Sequence, residues 1–346
     1  MSLNHEKYIA RCLELAKMGL GKTRPNPSVG AVVVYEDKII GEGFTSPYGG
    51  PHAEVNAINS VKQQELLEKA IIYVTLEPCS HYGKTPPCAD LIVAKKIPSV
   101  VIGCIDTNSL VAGKGIKRLE KAGCNVTVGV LEEECFEHHK RFFTVQNKQR
   151  PYIILKWAET KNGYIAPLTK EKSEPVWISN RYSQQLVHKW RSQEHAILVG
   201  TNTVRLDNPS LNVRSWKGNN PVRVIIDRYL KLPLNSNVFS KDQQTIVICE
   251  KSTDNREGIM YETIDFSKDL VIGLVAVLNK HKIQSIIIEG GTKTLQQFID
   301  SNLWDEAKVF IGEGEFDDGI KGPVLKARVK EEKRNINDII TIYRND

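Results

Sequence analysis

Apolar positions over residues 8–18 recur with the spacing of one helix face, and Gly19, Gly21, Pro25 and Pro27 interrupt that pattern before a β-branched run at 29–35. The same alternation continues through the first part of the chain. The pattern predicts helix 55–69, strand 71–76, helix 88–95, strand 99–104, helix 115–122, strand 125–130 and an amphipathic helix over 132–143. Strands separated by helices form a largely parallel sheet covered on both faces. Residues 146–151 are polar and close on Pro151, which places a domain boundary there. Beyond it the pattern predicts strand 152–157, helix 181–191 and strands at 196–199, 222–226, 245–248 and 285–288. This second series is α/β again but lacks the His and Cys cluster of the first, so it reads as a different domain and not as a repeat. Two domains are expected, 1–146 and 151–346.

Composition narrows the class without deciding it. A chain of 346 residues exceeds what one hydrophobic core usually serves. The net charge of +6 is mild and no run of Lys and Arg concentrates it, which argues against a dedicated nucleic-acid face. Seven cysteines, an odd number, and an N-terminus with no apolar signal core predict a reducing cytoplasm. No apolar run is long enough to cross a bilayer.

Candidate chemistry concentrates between residues 51 and 88, which read His52-Ala53-Glu54, Glu77-Pro78-Cys79 and Pro86-Pro87-Cys88. One imidazole and two thiolates fill three corners of a tetrahedron around Zn²⁺ and leave the fourth open, as hydrolytic zinc sites do. Glu54 lies two residues past His52, about 200° around a helix, so it can approach the open corner without being a ligand. Zinc-dependent nucleobase deaminases carry the same signature, H-x-E followed by P-C-x-x-C. Here eight residues, not two, separate the cysteines. A closed structural site would use His81 as fourth ligand, but that residue stands only two positions after Cys79 and would leave Glu54 without a task.

The strings Thr23-Arg24-Pro25-Asn26-Pro27-Ser28-Val29-Gly30, Pro51-His52-Ala53-Glu54, the run from Tyr73-Val74-Thr75-Leu76-Glu77-Pro78-Cys79 to Pro86-Pro87-Cys88, and Val111-Ala112-Gly113-Lys114-Gly115 resemble the bifunctional riboflavin-biosynthesis deaminase/reductases of bacteria. The long cysteine spacing is that family's own. The resemblance implies a cytidine-deaminase-like three-layer α/β/α domain at the N-terminus and a dihydrofolate-reductase-like α/β domain after it. It further implies that Asn26 holds the pyrimidine and that His81 and Lys84 meet the substrate and its ribose phosphate.

In the second half, Lys156-Trp157-Ala158, Trp177-Ile178-Ser179, the run from Gly200 to Arg214 and Glu289-Gly290-Gly291-Thr292 carry the resemblance. It implies an NADPH site formed by Lys156, Ala158, Trp177, Thr203, Asp207, Gly291, Thr292, Lys293, Thr294, Leu295, Gln296 and Gln297, and substrate contacts from Arg191, Leu211, Arg214 and Glu289. Physical chemistry supports one part unaided, since Glu-Gly-Gly-Thr between a strand and a helix leaves backbone N–H groups free for a pyrophosphate. The chain departs from the family pattern at Thr45, where His is frequent, at Thr160-Lys161-Asn162-Gly163, where the family usually has Ser-Leu/Met-Asp-Gly, and at Pro175 and Arg228, where Ser is frequent.

The expected activities are removal of an amino group from a diaminopyrimidinone ribosylamine 5′-phosphate, then NADPH-dependent reduction of its ribosyl side chain to ribityl. The expected partner is that small phosphorylated pyrimidine, with no nucleic acid and no membrane, and homo-oligomerisation is left open. A nucleoside or tRNA deaminase fused to an unrelated domain would instead show a basic groove and cysteines two residues apart. A zinc-stabilised interaction module would have no use for Glu54.

Overall fold

In the computed structural model, which describes residues 4–82, 86–107, 112–169, 174 and 176–345, two units part between Gln149 and Arg150. The first contains α1 (His5–Gly19), β1 (Gly30–Tyr35), β2 (Lys38–Phe44), α2 (Ala53–Ser60), β3 (Ile71–Leu76), α3 (Cys88–Ala94), β4 (Ser99–Cys104), α4 (Lys114–Lys121), β5 (Asn125–Val128) and α5 (Glu132–Lys148). Its sheet runs β2-β1-β3-β4-β5, with β1 antiparallel to both neighbours and β3, β4 and β5 parallel. Helices α1 and α5 touch on one side while α2, α3 and α4 form a second series, giving three layers.

Two differences from the apolar pattern have local causes. Strand β2 is reached through Glu36 and Asp37, both at positive φ (49° and 58°), a tight hairpin with no Asn-Gly pair to announce it. The helix predicted over 55–69 stops at Ser60 and resumes as a short 3₁₀ helix at Gln64–Lys69. The Gln64 amide donates to the carbonyls of Ile58 (2.9 Å) and Val61 (2.8 Å), filling acceptors that the ended helix leaves open. At the far end α5 continues to Lys148, past the expected stop at residue 143, before Gln149 turns left-handed.

The second unit contains β6 (Tyr152–Glu159), β7 (Tyr164–Ala166), α6 (Arg181–Gln193), β8 (Ala196–Gly200), α7 (Thr201–Asp207), β9 (Val222–Ile226), β10 (Thr245–Cys249), β11 (Ile259–Thr263), α8 (Leu270–Lys280), β12 (Ser285–Ile288), α9 (Thr292–Asp300), β13 (Glu306–Ile311), β14 (Ile320–Lys321), β15 (Arg328–Asn335) and β16 (Asp338–Arg344). Its nine-stranded sheet runs β11-β10-β9-β8-β12-β6-β13-β16-β15, and the strands from β11 to β13 are mutually parallel. The hairpin β15–β16 adds an antiparallel edge.

Alternate residues sort the two faces of this sheet. Ile154 and Ile287 pack with Val187 and Trp190 of α6, and Ile197, Val199 and Ile225 pack with Val204 of α7. Ile153, Leu155, Ile286 and Ile288 face the opposite way, against α8 and α9. Strand β15 is exposed along its length and reads Arg-Val-Lys-Glu-Glu-Lys-Arg-Asn, so no apolar alternation marks it, and its charges suit an edge. No helix among the described residues is long and apolar enough to cross a membrane.

Candidate active sites

Each metal-type donor of the first unit stands at the end of a regular element. His52 is the extended residue before α2, Cys79 follows β3, and Cys88 opens α3 behind Pro87. The His52 imidazole Nδ1 and the Sγ atoms of Cys79 and Cys88 lie within 4.8 Å of one another, at 3.6 Å and 3.3 Å for the two nitrogen–sulfur pairs. A tetrahedral zinc with Zn–N and Zn–S bonds of about 2.1 and 2.3 Å spans an N···S edge of about 3.6 Å, so the three donors fit one ion. Among the described residues the group has no fourth member.

Electrostatics at the cluster favour a cation. Hydrogen bonding with Cys88 and His52 brings the Cys79 thiol down to about 4 against the opposing effect of burial, and the backbone N–H of Cys88 donates to its sulfur at 3.3 Å. The same contact with Cys79 pushes the Cys88 thiol up, so without an ion the pair shares one negative charge. A divalent metal would deprotonate both. Glu54, in the first turn of α2, is only 4 % exposed. Burial pushes its carboxyl up to about 7, Cys79 adds to the rise and His52 opposes it. A carboxyl poised near neutrality both takes and gives a proton, though a bound cation would bring it down.

Glu77, two residues before Cys79, is a functional residue that spacing arguments passed over. Its buried carboxylate accepts the backbone N–H groups of Asp106 (3.3 Å), Gly113 (3.0 Å), Gly115 (2.9 Å) and Ile116 (3.4 Å). It ties the loop after β4 and the start of α4 to the strand that delivers Cys79. Gly115 completes the joint, because a Cβ there would stand 2.1 Å from the Pro78 carbonyl oxygen. A Glu inside an otherwise apolar strand exit was the available signal.

The other positions named for this unit are Asn26, His81, Lys84 and Thr45. Asn26 sits in a turn where the Thr23 hydroxyl donates to its carbonyl, and His81 is exposed on the segment after Cys79. Lys84 lies outside the described residues. Thr45, where the family frequently has His, is buried, and its hydroxyl oxygen accepts the Val29 N–H at 3.0 Å.

In the second unit the parallel register brings the charged residues together. Ile288 is level with Leu155, so the next positions, Glu289 and Lys156, are neighbours on the face covered by α6. Arg191 of α6 donates to both Glu289 oxygens, 3.0 Å from Nε and 2.7 Å from Nη2, and the Lys156 ammonium stands 3.9 Å away. Burial alone would raise the Glu289 carboxyl, but Arg191 and Lys156 bring it down to about 2. Burial lowers the Lys156 ammonium against the pull of Glu289, and lowers the Arg214 guanidinium with Arg191 assisting.

Beside this cluster the strand ends meet two helix starts. Gly200 precedes α7 and Gly291 precedes α9, and the Gly291 N–H donates to the Thr203 hydroxyl at 3.2 Å. Gly290 and Gly200 approach Thr294 so closely that a Cβ would stand 2.9 Å and 3.1 Å from its side chain. Thr292 donates to the Lys321 carbonyl, and Gln296 accepts the Val324 N–H at 2.8 Å. Lys293 and Trp177 are exposed, while Ala158, Asp207 and Gln297 are half-buried. Leu211 and Leu295 put their side chains into the core, so only their backbone is left to meet a ligand. His188 and Asn212, which sequence reasoning passed over, line the same cluster as Arg191. Asn162 closes a turn by accepting from the Thr160 hydroxyl at 2.7 Å, Pro175 lies outside the described residues, and Arg228 pairs with Glu250 at 2.6 Å.

Comparison with known proteins agrees with this division. Residues 2–104 match the family described as cytidine and deoxycytidylate deaminase zinc-binding region, and residues 151–313 match the RibD C-terminal domain. The riboflavin biosynthesis protein RibD of Aquifex aeolicus is 39 % identical over 98 % of this chain and 97 % of its own length. That of Synechocystis is 42 % identical over 84 % of this chain and 79 % of its own. A crystal structure of a diaminohydroxyphosphoribosylaminopyrimidine deaminase/5-amino-6-(5-phosphoribosylamino)uracil reductase from Thermotoga maritima superposes with a TM-score of 0.89 at 36 % identity, covering 98 % of both chains.

Proposed function

The chain belongs to the RibD family, the bifunctional deaminase/reductases of riboflavin biosynthesis, and on that premise we propose how its residues divide the two reactions. The first unit removes an amino group from a 2,5-diamino-6-ribosylamino-4(3H)-pyrimidinone 5′-phosphate. The second reduces the ribosyl side chain of the product to ribityl. Both act on a small phosphorylated pyrimidine, with no part for nucleic acid, in the cytoplasm.

His52, Cys79 and Cys88 would hold the family's zinc, which when bound would supply Lewis acidity and a water of lowered pKa. Glu54 takes one proton of the attacking water and gives it to a ring nitrogen, then carries the second, from the hydroxyl of the tetrahedral adduct, to the amino group, so that ammonia leaves as the carbonyl forms. Burial of Glu54 keeps that proton from exchanging with bulk solvent. Asn26, His81 and Lys84 are assigned to the pyrimidine and its ribose phosphate.

NADPH supplies the hydride in the second unit. The backbone N–H groups of Thr292 and Lys293 at the start of α9 would receive its diphosphate, beside Thr203 and Asp207, with Ala158 and Trp177 completing the cofactor wall. Lys156, held near Glu289, orients the cofactor's reactive end against the substrate. Arg191 and Arg214 take the substrate phosphate, for which guanidinium geometry is suited.

The observation that carries the proposal is the three-donor cluster with one open position and Glu54 buried beside it. Purified protein incubated with the diaminopyrimidinone substrate should release ammonia without NADPH and oxidise NADPH only afterwards. Ammonia release with no loss of NADPH absorbance would remove the second assignment. Absence of ammonia from zinc-loaded protein would remove the first.

A further inference from the structure

Arg214, which carries part of the proposed phosphate site, belongs to no helix or strand. It ends a segment that leaves α7 through Asn208 and passes through Leu211, both at positive φ (40° and 55°). Such a backbone is costly for a γ-branched residue and persists only where the surroundings hold it. Two side chains of α6, one turn apart, reach the segment. The His188 Nδ1 lies 3.0 Å from the Asn212 carbonyl oxygen, and the Arg191 Nη1 donates to the same oxygen at 3.3 Å. Since a carbonyl only accepts, the imidazole proton is on Nδ1. The backbone N–H of Arg214 points at the same ring nitrogen from 3.4 Å, a longer contact that a protonated Nδ1 does not accept, so the ring's bond is the shorter one to Asn212.

His188 is 4 % exposed, and burial together with Arg191 and Arg214 brings its imidazole down to about 4, so the ring is neutral near pH 7. A neutral donor adds no third positive charge beside two guanidiniums. Its contact with Asn212 fixes the residue two positions before Arg214, and Arg191 is anchored independently by Glu289.

We propose that His188 is a positioning residue that seats the 211–214 segment on α6 and so sets Arg214 beside Arg191 as a two-guanidinium clamp for the substrate's phosphate. This rests on the assignment of Arg214 to that phosphate, which the same experiment tests separately. NADPH oxidation is followed with 5-amino-6-(5-phosphoribosylamino)uracil and with the same compound lacking the phosphate. His188→Ala, and His188→Phe as a variant that keeps the ring volume, should raise KM for the phosphorylated compound about tenfold, the equivalent of one lost hydrogen bond with its alignment. KM for the dephosphorylated compound and the affinity for NADPH should not move. His188→Asn, whose amide N–H stands where Nδ1 did, should restore most of the loss. Arg214→Ala should cut the preference for the phosphate to what Arg191 alone gives, and adding His188→Ala to it should cost nothing more.

Equal KM increases for both compounds, full additivity with Arg214→Ala, or an unchanged KM in both His188 variants would overturn the role of His188. A phosphate preference left undiminished by Arg214→Ala would instead overturn the clamp, and the proposal with it.

Discussion

The two units build their chemistry in opposite ways. In the first, all three metal-type donors and Glu54 fall within residues 52–88, each at the end of an element, so that local chain geometry brings them close. In the second, the central ion pair joins Arg191 to Glu289, 98 residues apart, and exists only because α6 lies over the carboxyl end of a parallel sheet. A short-range constellation leaves a motif in the sequence. A long-range one leaves isolated charged residues that look like surface side chains.

The largest effect that separates the units is expected from Glu54→Gln. It should lower deamination by roughly 10²–10⁴-fold, the usual contribution of a positioned proton carrier. Zinc content and NADPH oxidation on pre-deaminated substrate should be retained, as read by elemental analysis and absorbance. Loss of zinc with the activity would mean that Glu54 shapes the cluster and does not serve the reaction.

Glu289→Gln is the matching change in the second unit. It leaves Arg191 and Lys156 with no anionic partner in a buried setting, and should destabilise that unit by about 3 kcal/mol, seen as an earlier urea midpoint for it alone. Unchanged unfolding would show that solvent already screens the pair.

Acid should act more strongly on the first unit. Its adjacent His138 and His139 both titrate below the ordinary imidazole value; burial is the main cause, and His138 is brought down to about 4. Their Nε2 atoms lie 2.8 Å from the Ser28 carbonyl and 3.1 Å from the Thr75 hydroxyl. Between about pH 6.5 and 4 the unfolded chain binds protons that the folded unit refuses. The two histidines therefore contribute fully above about pH 6.5 and lose that contribution as the pH drops toward 4, a loss that proton uptake by the buried Glu54 would offset unless zinc holds it ionised. In the second unit His188 is such a residue. Thermal melts across this range should show the steeper decline in the first transition, and His138→Asn should flatten it.

The smallest effect concerns the scaffold. Gln64→Ala removes the cap on the carbonyls of Ile58 and Val61 and should cost about 0.5–1 kcal/mol, lowering the first unit's Tm by about 2–4 °C with zinc affinity unchanged. A larger drop would mean that the break after Ser60 also aligns the start of α2, where His52 and Glu54 stand.

Most elements were legible because their apolar periodicity is strong, as in β3, β4, β9 and β12, whose ends coincide with the predicted strands. Seven strands were missed, β2, β7, β11, β13, β14, β15 and β16; of these β2 follows a hairpin with no turn signature and β15 lies exposed on an edge, where burial imposes no pattern. Helix α7, only seven residues long, is too short for a 3.6-residue period to register.

From the sequence alone came the two α/β units, the zinc-type donors, the unligated Glu54 and, through the resemblance, the paired activities. The units rest on periodic faces, and the donors on a motif whose residue types and order identify the chemistry even though packing of α2, β3 and α3 brings them together. Only the tertiary structure decided that Glu77 gathers four backbone N–H groups, that Leu211 and Leu295 turn into the core, and that His188 shares the Asn212 carbonyl with Arg191. Each depends on strand register or on a helix laid across the sheet, and partners created by that packing have no fixed spacing along the chain.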